Sequence, residues 1–108
     1  FVLDIDGTLC GSPSDGNYLS CVPIESVCKK IRFEDSKGSY IILYTSRNMR
    51  SFGGNIGLIN KHTSTILQSW LKKHCIPYDE IYFGKPWGSD NLSYIDDKMM
   101  SIKEFEEF

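Results

Sequence analysis

A chain of 108 residues with ordinary apolar content is one domain, small for an α/β fold but large enough for a real core. Its formal net charge of −2 argues against a generic electrostatic nucleic-acid binder. No apolar run approaches a membrane span, and the start lacks the pattern of a signal peptide. Phe1 is not a natural first residue, so the chain is expected to be trimmed near its first strand. Cys10, Cys21, Cys28 and Cys75 form no Cys-x-x-Cys, and His62 and His74 are not at zinc-ligand spacing from them. They read as reduced thiols of a cytoplasmic protein. Whether Cys10 and Cys21 meet across one loop stays open.

The chain opens on Phe1-Val2-Leu3-Asp4-Ile5-Asp6-Gly7-Thr8-Leu9, an apolar run that meets two carboxylates spaced i, i+2 and then a Gly-Thr turn. Such a short run, bounded by turn residues, predicts a buried strand. In a parallel sheet its carboxyl end would face the ligand crevice. Two carboxylates about 4 Å apart repel by roughly 4 kcal/mol at an effective dielectric near 20, so a metal ion, a basic side chain or a shared proton must compensate. The bland alternative is a strand end with two solvated acids.

Residues 10–22 hold Gly, Ser, Pro, Asp and Asn, which predicts a loop or short hairpin, a candidate flap over the acids. Pro23 suits a helix's first turn. Ile24, Val27, Cys28 and Ile31 form an amphipathic stripe, and Gly38 ends that helix. Tyr40–Tyr44 predicts a second buried strand, leading into Thr45-Ser46-Arg47. A Gly- and Asn-rich loop over about 48–58 precedes a helix from Ile59 to Lys73. Its inner face is read as Ile59, Thr63, Ile66, Leu67, Trp70, Leu71 and His74. Ile81-Tyr82-Phe83 predicts a third strand before Gly84-Lys85-Pro86-Trp87, and Leu92–Ile95 a fourth before Asp96-Asp97. Ser101 and Glu104 form a capping-box pattern for a last short helix. The alternation predicts an α/β fold with a parallel sheet covered by helices.

Four strand ends thus carry Asp-x-Asp, Thr-Ser, Lys and Asp-Asp in order, and that set suits phosphoryl transfer. One carboxylate can attack phosphorus. A second can protonate the leaving oxygen and later deprotonate water. A hydroxyl and amides can bind phosphate oxygens, a Lys can stabilise phosphate and acids, and an Asp pair can help hold Mg²⁺.

Asp4-Ile5-Asp6-Gly7-Thr8, Thr45, Lys85 and Asp96-Asp97 resemble the four motifs of the haloacid dehalogenase (HAD) superfamily of phosphohydrolases, in the family's order and over nearly the whole chain. Residues 44–50, 77–87 and 94–98 resemble small HAD proteins described as capsule-biosynthesis phosphatases. The resemblance implies a three-layer Rossmann-like parallel sheet with helices on both faces. It also implies Asp4 as nucleophile and Mg²⁺ ligand, and Asp6 as acid/base with its carbonyl on the metal. Thr45 and Ser46 would bind the phosphoryl group, and Lys85 would stabilise the intermediate. Asp97 would be the direct metal ligand, with Asp96 beside it as a partner of Lys85 or of water. The gaps between motifs are too short for a cap domain. That leaves a single domain, 1–108, whose lids are the 10–22 flap and the 48–58 loop. Thr8, Arg47, Arg50 and Trp87 are the further expected substrate contacts.

The implied activity is Mg²⁺-dependent hydrolysis of a phosphate monoester through an aspartyl-phosphate. The expected substrate is a small sugar or polyol phosphate of surface polysaccharide biosynthesis. No membrane or nucleic-acid partner is expected, and a homo-oligomer covering the open site is compatible with this reading. The runner-up is action on a polynucleotide end or a phosphoprotein, which an open, capless site would admit. A receiver-type phosphoacceptor module is disfavoured because its acidic pair comes first in the chain, and here it comes near the end. A dead regulatory module is disfavoured because every catalytic residue type is present.

Overall fold

The computed structural model describes residues 1–13 and 15–108. Its elements run β1 (Val2–Leu3), a 3-10 turn (Tyr18–Ser20), α1 (Glu25–Ser36), β2 (Ile42–Tyr44), α2 (Ile56–Lys73), β3 (Glu80–Tyr82) and α3 (Ile102–Glu107). The strands form one parallel sheet in the order β1-β2-β3, with Leu3 opposite Leu43 and Leu43 opposite Ile81. Helices α1 and α2 make the two crossovers that parallel neighbours require. The chain is therefore α/β, as its alternating pattern predicts.

The strands alternate rather than running buried on both faces. Leu3, Ile5, Ile41 and Leu43 are buried, whereas Val2 is 65% exposed and Ile42 and Tyr44 are half-buried. One face of the sheet therefore carries the core and the other is only partly covered. Four of the expected inner positions of α2 join that core or lie close beside it: Ile59, Leu67, Trp70 and Leu71 are all fully buried. Thr63 is buried on the same side, but Ile66 is 39% exposed, one position off the stripe. The helix starts three residues earlier than expected because the Asn55 side chain accepts the Leu58 amide at 3.2 Å. The Gly- and Asn-rich loop thus ends at Asn55, not near 58.

On α1 the buried stripe is Val27, Cys28 and Ile31, as expected, and it continues to Glu34. That carboxylate is held by Ser39 at 3.0 Å and by the ammonium of Lys37 at 3.3 Å. Pro23 lies before the N-cap residue Ile24 rather than in the first turn. Gly38, at φ 90°, takes the left-handed position that ends the helix. The capping box of Ser101 and Glu104 opens α3, whose Phe105 is buried as α3 packs on α1.

The expected fourth strand is absent among the described residues. Leu92–Ile95 pairs with no strand, and Ile95 is 97% exposed. Side chains hold this segment instead of a backbone ladder. The Tyr94 hydroxyl donates to the Pro86 carbonyl at 2.5 Å, and Lys85 Nζ lies 4.6 Å from the Tyr94 ring centre. Among the described residues, no helix is long and apolar enough to cross a membrane.

Trp70 ties the core to residues 10–22. It is fully buried, and its indole N–H donates to the Cys21 carbonyl at 2.9 Å. Trp70→Ala is expected to cost about 3–5 kcal/mol in urea unfolding. Trp70→Phe keeps the apolar body and should cost less, with about 1 kcal/mol of it from the lost hydrogen bond.

Candidate active site

All three strands are parallel, so their carboxyl ends share one edge of the sheet. Asp4 and Asp6 follow β1 there, Thr45 follows β2, and Lys85 comes shortly after β3. The turn after β1 is wound around one carbonyl. Ile5 O accepts the amides of Thr8, Leu9 and Cys10 at 3.0, 2.8 and 3.3 Å. Gly7, at φ 86°, supplies the left-handed residue this winding needs. With Ile5 buried, the flanking acids project to the other side of the chain.

Backbone bonds bring the other strand ends together. Thr45 N–H donates to Tyr82 O at 2.9 Å, and Lys85 N–H donates to Thr45 O at 3.2 Å. Gly84 permits this approach. It has φ 86°, and a Cβ there would lie 2.8 Å from the Ile56 side chain. Lys85 Nζ then stands 3.5 Å from Asp4. The expected cluster of Asp4, Thr45 and Lys85 is therefore assembled at one edge.

Asp6 is held by a different cation. Arg47 Nε and Nη2 donate to its two carboxylate oxygens at 3.1 and 2.8 Å, a bidentate pair. Cys10 Sγ also lies 3.7 Å from Asp6. Arg47 is only 3% exposed, its guanidinium sits 4.3 Å from the Tyr18 ring centre, and its own amide donates to Thr45 Oγ1 at 3.0 Å. Asp6 keeps the Arg47 guanidinium charged despite burial. The sequence suggests Arg47 as a substrate contact. Two of its three terminal groups are committed to Asp6, and Nη1 is buried with no hydrogen-bond partner among the described residues. Its position is that of a clamp on Asp6.

Beside Asp6 opens a cavity of about 340 Å³. Ser46, Arg47, Arg50 and Trp87 line it, as the sequence suggests for substrate contacts, and Ser12 and Tyr18 of the 10–22 segment form another wall. That segment is a closed loop at its root. Gly11 N–H donates to Val22 O at 3.1 Å, and Cys10 bridges Pro23. Thr8 does not line the cavity; its amide is spent on the turn and its side chain is half-buried. Asn48, at φ 61°, accepts the Thr63 hydroxyl at 2.8 Å and so pins the far wall to α2.

Asp96 and Asp97 lie on the segment after residue 95, outside the strand ends. Both are exposed, and Asp96 accepts the Lys98 amide at 2.9 Å, which holds its carboxyl below the usual range. Among the described residues, no group of three acids, histidines or cysteines is arranged around a point that a metal ion would fill. The donor chemistry of Asp4 and Asp6 suits a hard divalent ion, but each is paired with a cationic side chain.

Sequence reasoning missed Cys10, Tyr18 and Tyr94. Cys10 follows Asp6 by one turn, a usable signal. Tyr18 and Tyr94 reach the site through long-range packing that no local pattern marks.

No family model and no curated protein matches the chain. Among solved structures, the chain is similar to a crystal structure of a structural-genomics target from Vibrio cholerae. The two share 40% sequence identity and a TM-score of 0.89 over 100% of this chain and 87% of that one. At that identity over the whole chain the two belong to one family, and the description of the Vibrio protein states no activity.

The cysteines give a direct check of this geometry. Burial, followed by the Asp6 charge, pushes the Cys10 thiol up to about 12, and burial also raises Cys28. Both are then protonated and inert at about pH 8. Cys75 is the exposed thiol. Ellman's reagent is expected to show about one fast-reacting thiol in the folded protein and all four after unfolding. Fast reaction of Cys10 would contradict its placement under Asp6.

Proposed function

We propose that this chain is a phosphatase of the HAD type, which hydrolyses a phosphate monoester through an aspartyl-phosphate. Its fold would be a capless, three-layer version of the HAD architecture. The observation that carries the reading is the convergence of Asp4, Asp6, Thr45 and Lys85 at one edge of a parallel sheet, with Lys85 3.5 Å from Asp4. The family resemblance of their motifs supplies the substrate class, a small sugar or polyol phosphate of surface polysaccharide biosynthesis.

In this mechanism an Asp4 oxygen attacks phosphorus and the bond to the leaving oxygen breaks. Asp6 delivers a proton to that oxygen, so an alcohol departs and Asp4 carries the phosphoryl group. Water then attacks phosphorus while Asp6 takes its proton, which releases inorganic phosphate and restores Asp4. Lys85 offsets charge at Asp4 and on the phosphoryl oxygens, and Thr45 with the Ser46 amide binds those oxygens. Arg47 fixes the orientation of Asp6 through two hydrogen bonds. Mg²⁺ is the proposed cofactor. Asp4 and Asp6 would hold it with Asp97 or Asp96, and when bound it would offset repulsion between nucleophile and phosphate.

Asp4→Asn is expected to abolish turnover of p-nitrophenyl phosphate while circular dichroism stays unchanged. Asp6→Asn should lose about 10²–10⁴-fold on an alkyl phosphate and less on the nitrophenyl ester, whose leaving group needs little protonation. The Asp6 variant should also show a nitrophenol burst and a phosphate adduct by intact mass, because dephosphorylation needs the same base. Turnover by Asp4→Asn would remove the covalent route.

The metal has its own test. EDTA is expected to stop turnover and added Mg²⁺ to restore it, with Asp97→Ala shifting the Mg²⁺ titration to higher concentration. An unshifted titration would move the ligand role to Asp96, and full activity in EDTA would remove the ion.

A further inference from the structure

We infer that the cavity beside Asp6 selects phosphate monoesters whose leaving group is a single polar ring bearing a second anionic group. This rests on the phosphatase reading above and adds the substrate's chemistry to it.

Charge accounting at the site is the first ground. Asp4 is paired with Lys85, and Asp6 is paired with Arg47, so those four charges cancel in two local pairs. Arg50 also lines the cavity, and among the described residues it has no carboxylate within ion-pair distance. The cavity wall therefore keeps one uncompensated positive charge. It lies on the loop side, whereas the transferring phosphoryl group has Lys85 and Thr45 at the strand ends. A guanidinium so placed is suited to a carboxylate or phosphate on the part of the substrate that departs.

Shape and lining are the second ground. A volume of about 340 Å³ falls at the low end for ligand pockets, which run from roughly 300 to 1,000 Å³, and suits one ring rather than a chain of rings. Trp87 and Tyr18 offer aromatic surface on which a ring can lie, and Ser12, Ser46 and Ser51 offer hydroxyls. Trp87 is exposed and free to receive a ligand, whereas Trp70 is fully buried in the core.

Trp87 also supplies the readout, because the chain has only two tryptophans. The experiment titrates the Asp4→Asn variant, which binds without turnover, and follows tryptophan fluorescence. The probes are a hexuronic acid 1-phosphate, a hexose 1,6-bisphosphate and the neutral hexose 1-phosphate. At least one acidic ester is expected to bind about tenfold more tightly than the neutral one, a charge-assisted contact being worth roughly that much. A response to the uronate alone assigns a carboxylate, and a response to the bisphosphate alone assigns a second phosphate. Adding Arg50→Gln should bring the acidic esters level with the neutral one. Equal affinity for all three esters would overturn the inference. So would an Arg50→Gln loss that falls equally on neutral and acidic esters, since Arg50 would then serve the transferred phosphoryl group. Turnover of p-nitrophenyl phosphate by the unsubstituted chain separates the two readings. Turnover without discrimination removes only the selection, and discrimination without turnover removes only the hydrolysis.

Discussion

Asp4 and Asp6 stand two residues apart on a strand end, and each needs a counter-charge of its own. The fold supplies two from different directions. Lys85 arrives from β3 because Gly84 lets the chain pass close to Ile56, and Arg47 arrives from the end of β2. The two acids are thereby given separate partners and separate environments. Asp6 also meets a protonated thiol and a wholly enclosed guanidinium. Unlike surroundings for two like groups are what a division of labour between nucleophile and acid/base requires.

The Arg47 pair also explains why residues 10–22 are more than a mobile cover. A buried guanidinium is costly unless its charge and donors are met. Asp6 meets the charge, and Tyr18 covers the ring plane from the 3-10 turn. That turn packs on α2, and the carbonyl of Cys21 just after it accepts the Trp70 indole. The segment is therefore anchored at Tyr18, Cys21 and the Cys10–Pro23 bridge, and Ser12, Pro13 and Tyr18 reach the cavity.

Asp4, Asp6, Thr45 and Lys85 were legible because each follows a short apolar run bounded by turn residues, and parallel strands bring like ends to one edge. The stripes of α1 and α2 were legible through helical periodicity, with Ile66 as the one inner position misplaced. Leu92–Ile95 was misread because an apolar run reports side-chain preference but not a backbone partner. Here Tyr94 contacts Pro86 and Lys85, and the segment has no ladder among the described residues. Asp96 and Asp97 follow that segment and are exposed, with Asp96 accepting the Lys98 amide. Arg47 was placed at a strand end and in the cavity wall, but its pairing with Asp6 was not foreseen. Its contact with Asp6 joins residues far apart in sequence, and local pattern carries no information about such pairs.

One guanidinium connects two parts of the site that sequence reasoning treats as independent. Arg47 orients Asp6 with one side of its fork and lies in the wall of the cavity that would hold the leaving group. Its own amide is tied to the Thr45 hydroxyl. A ligand that shifts Arg47 therefore shifts the carboxylate that must meet the leaving oxygen, and it also disturbs the threonine proposed to bind phosphate. Among the described residues Arg50 has no such side-chain ties. Recognition of a second anionic group through Arg50 leaves the Asp6 clamp intact. Recognition through Arg47 would loosen it. Under the proposed selection, recognition and orientation fall to two different arginines, three residues apart and unlike in burial, on the same turn after β2.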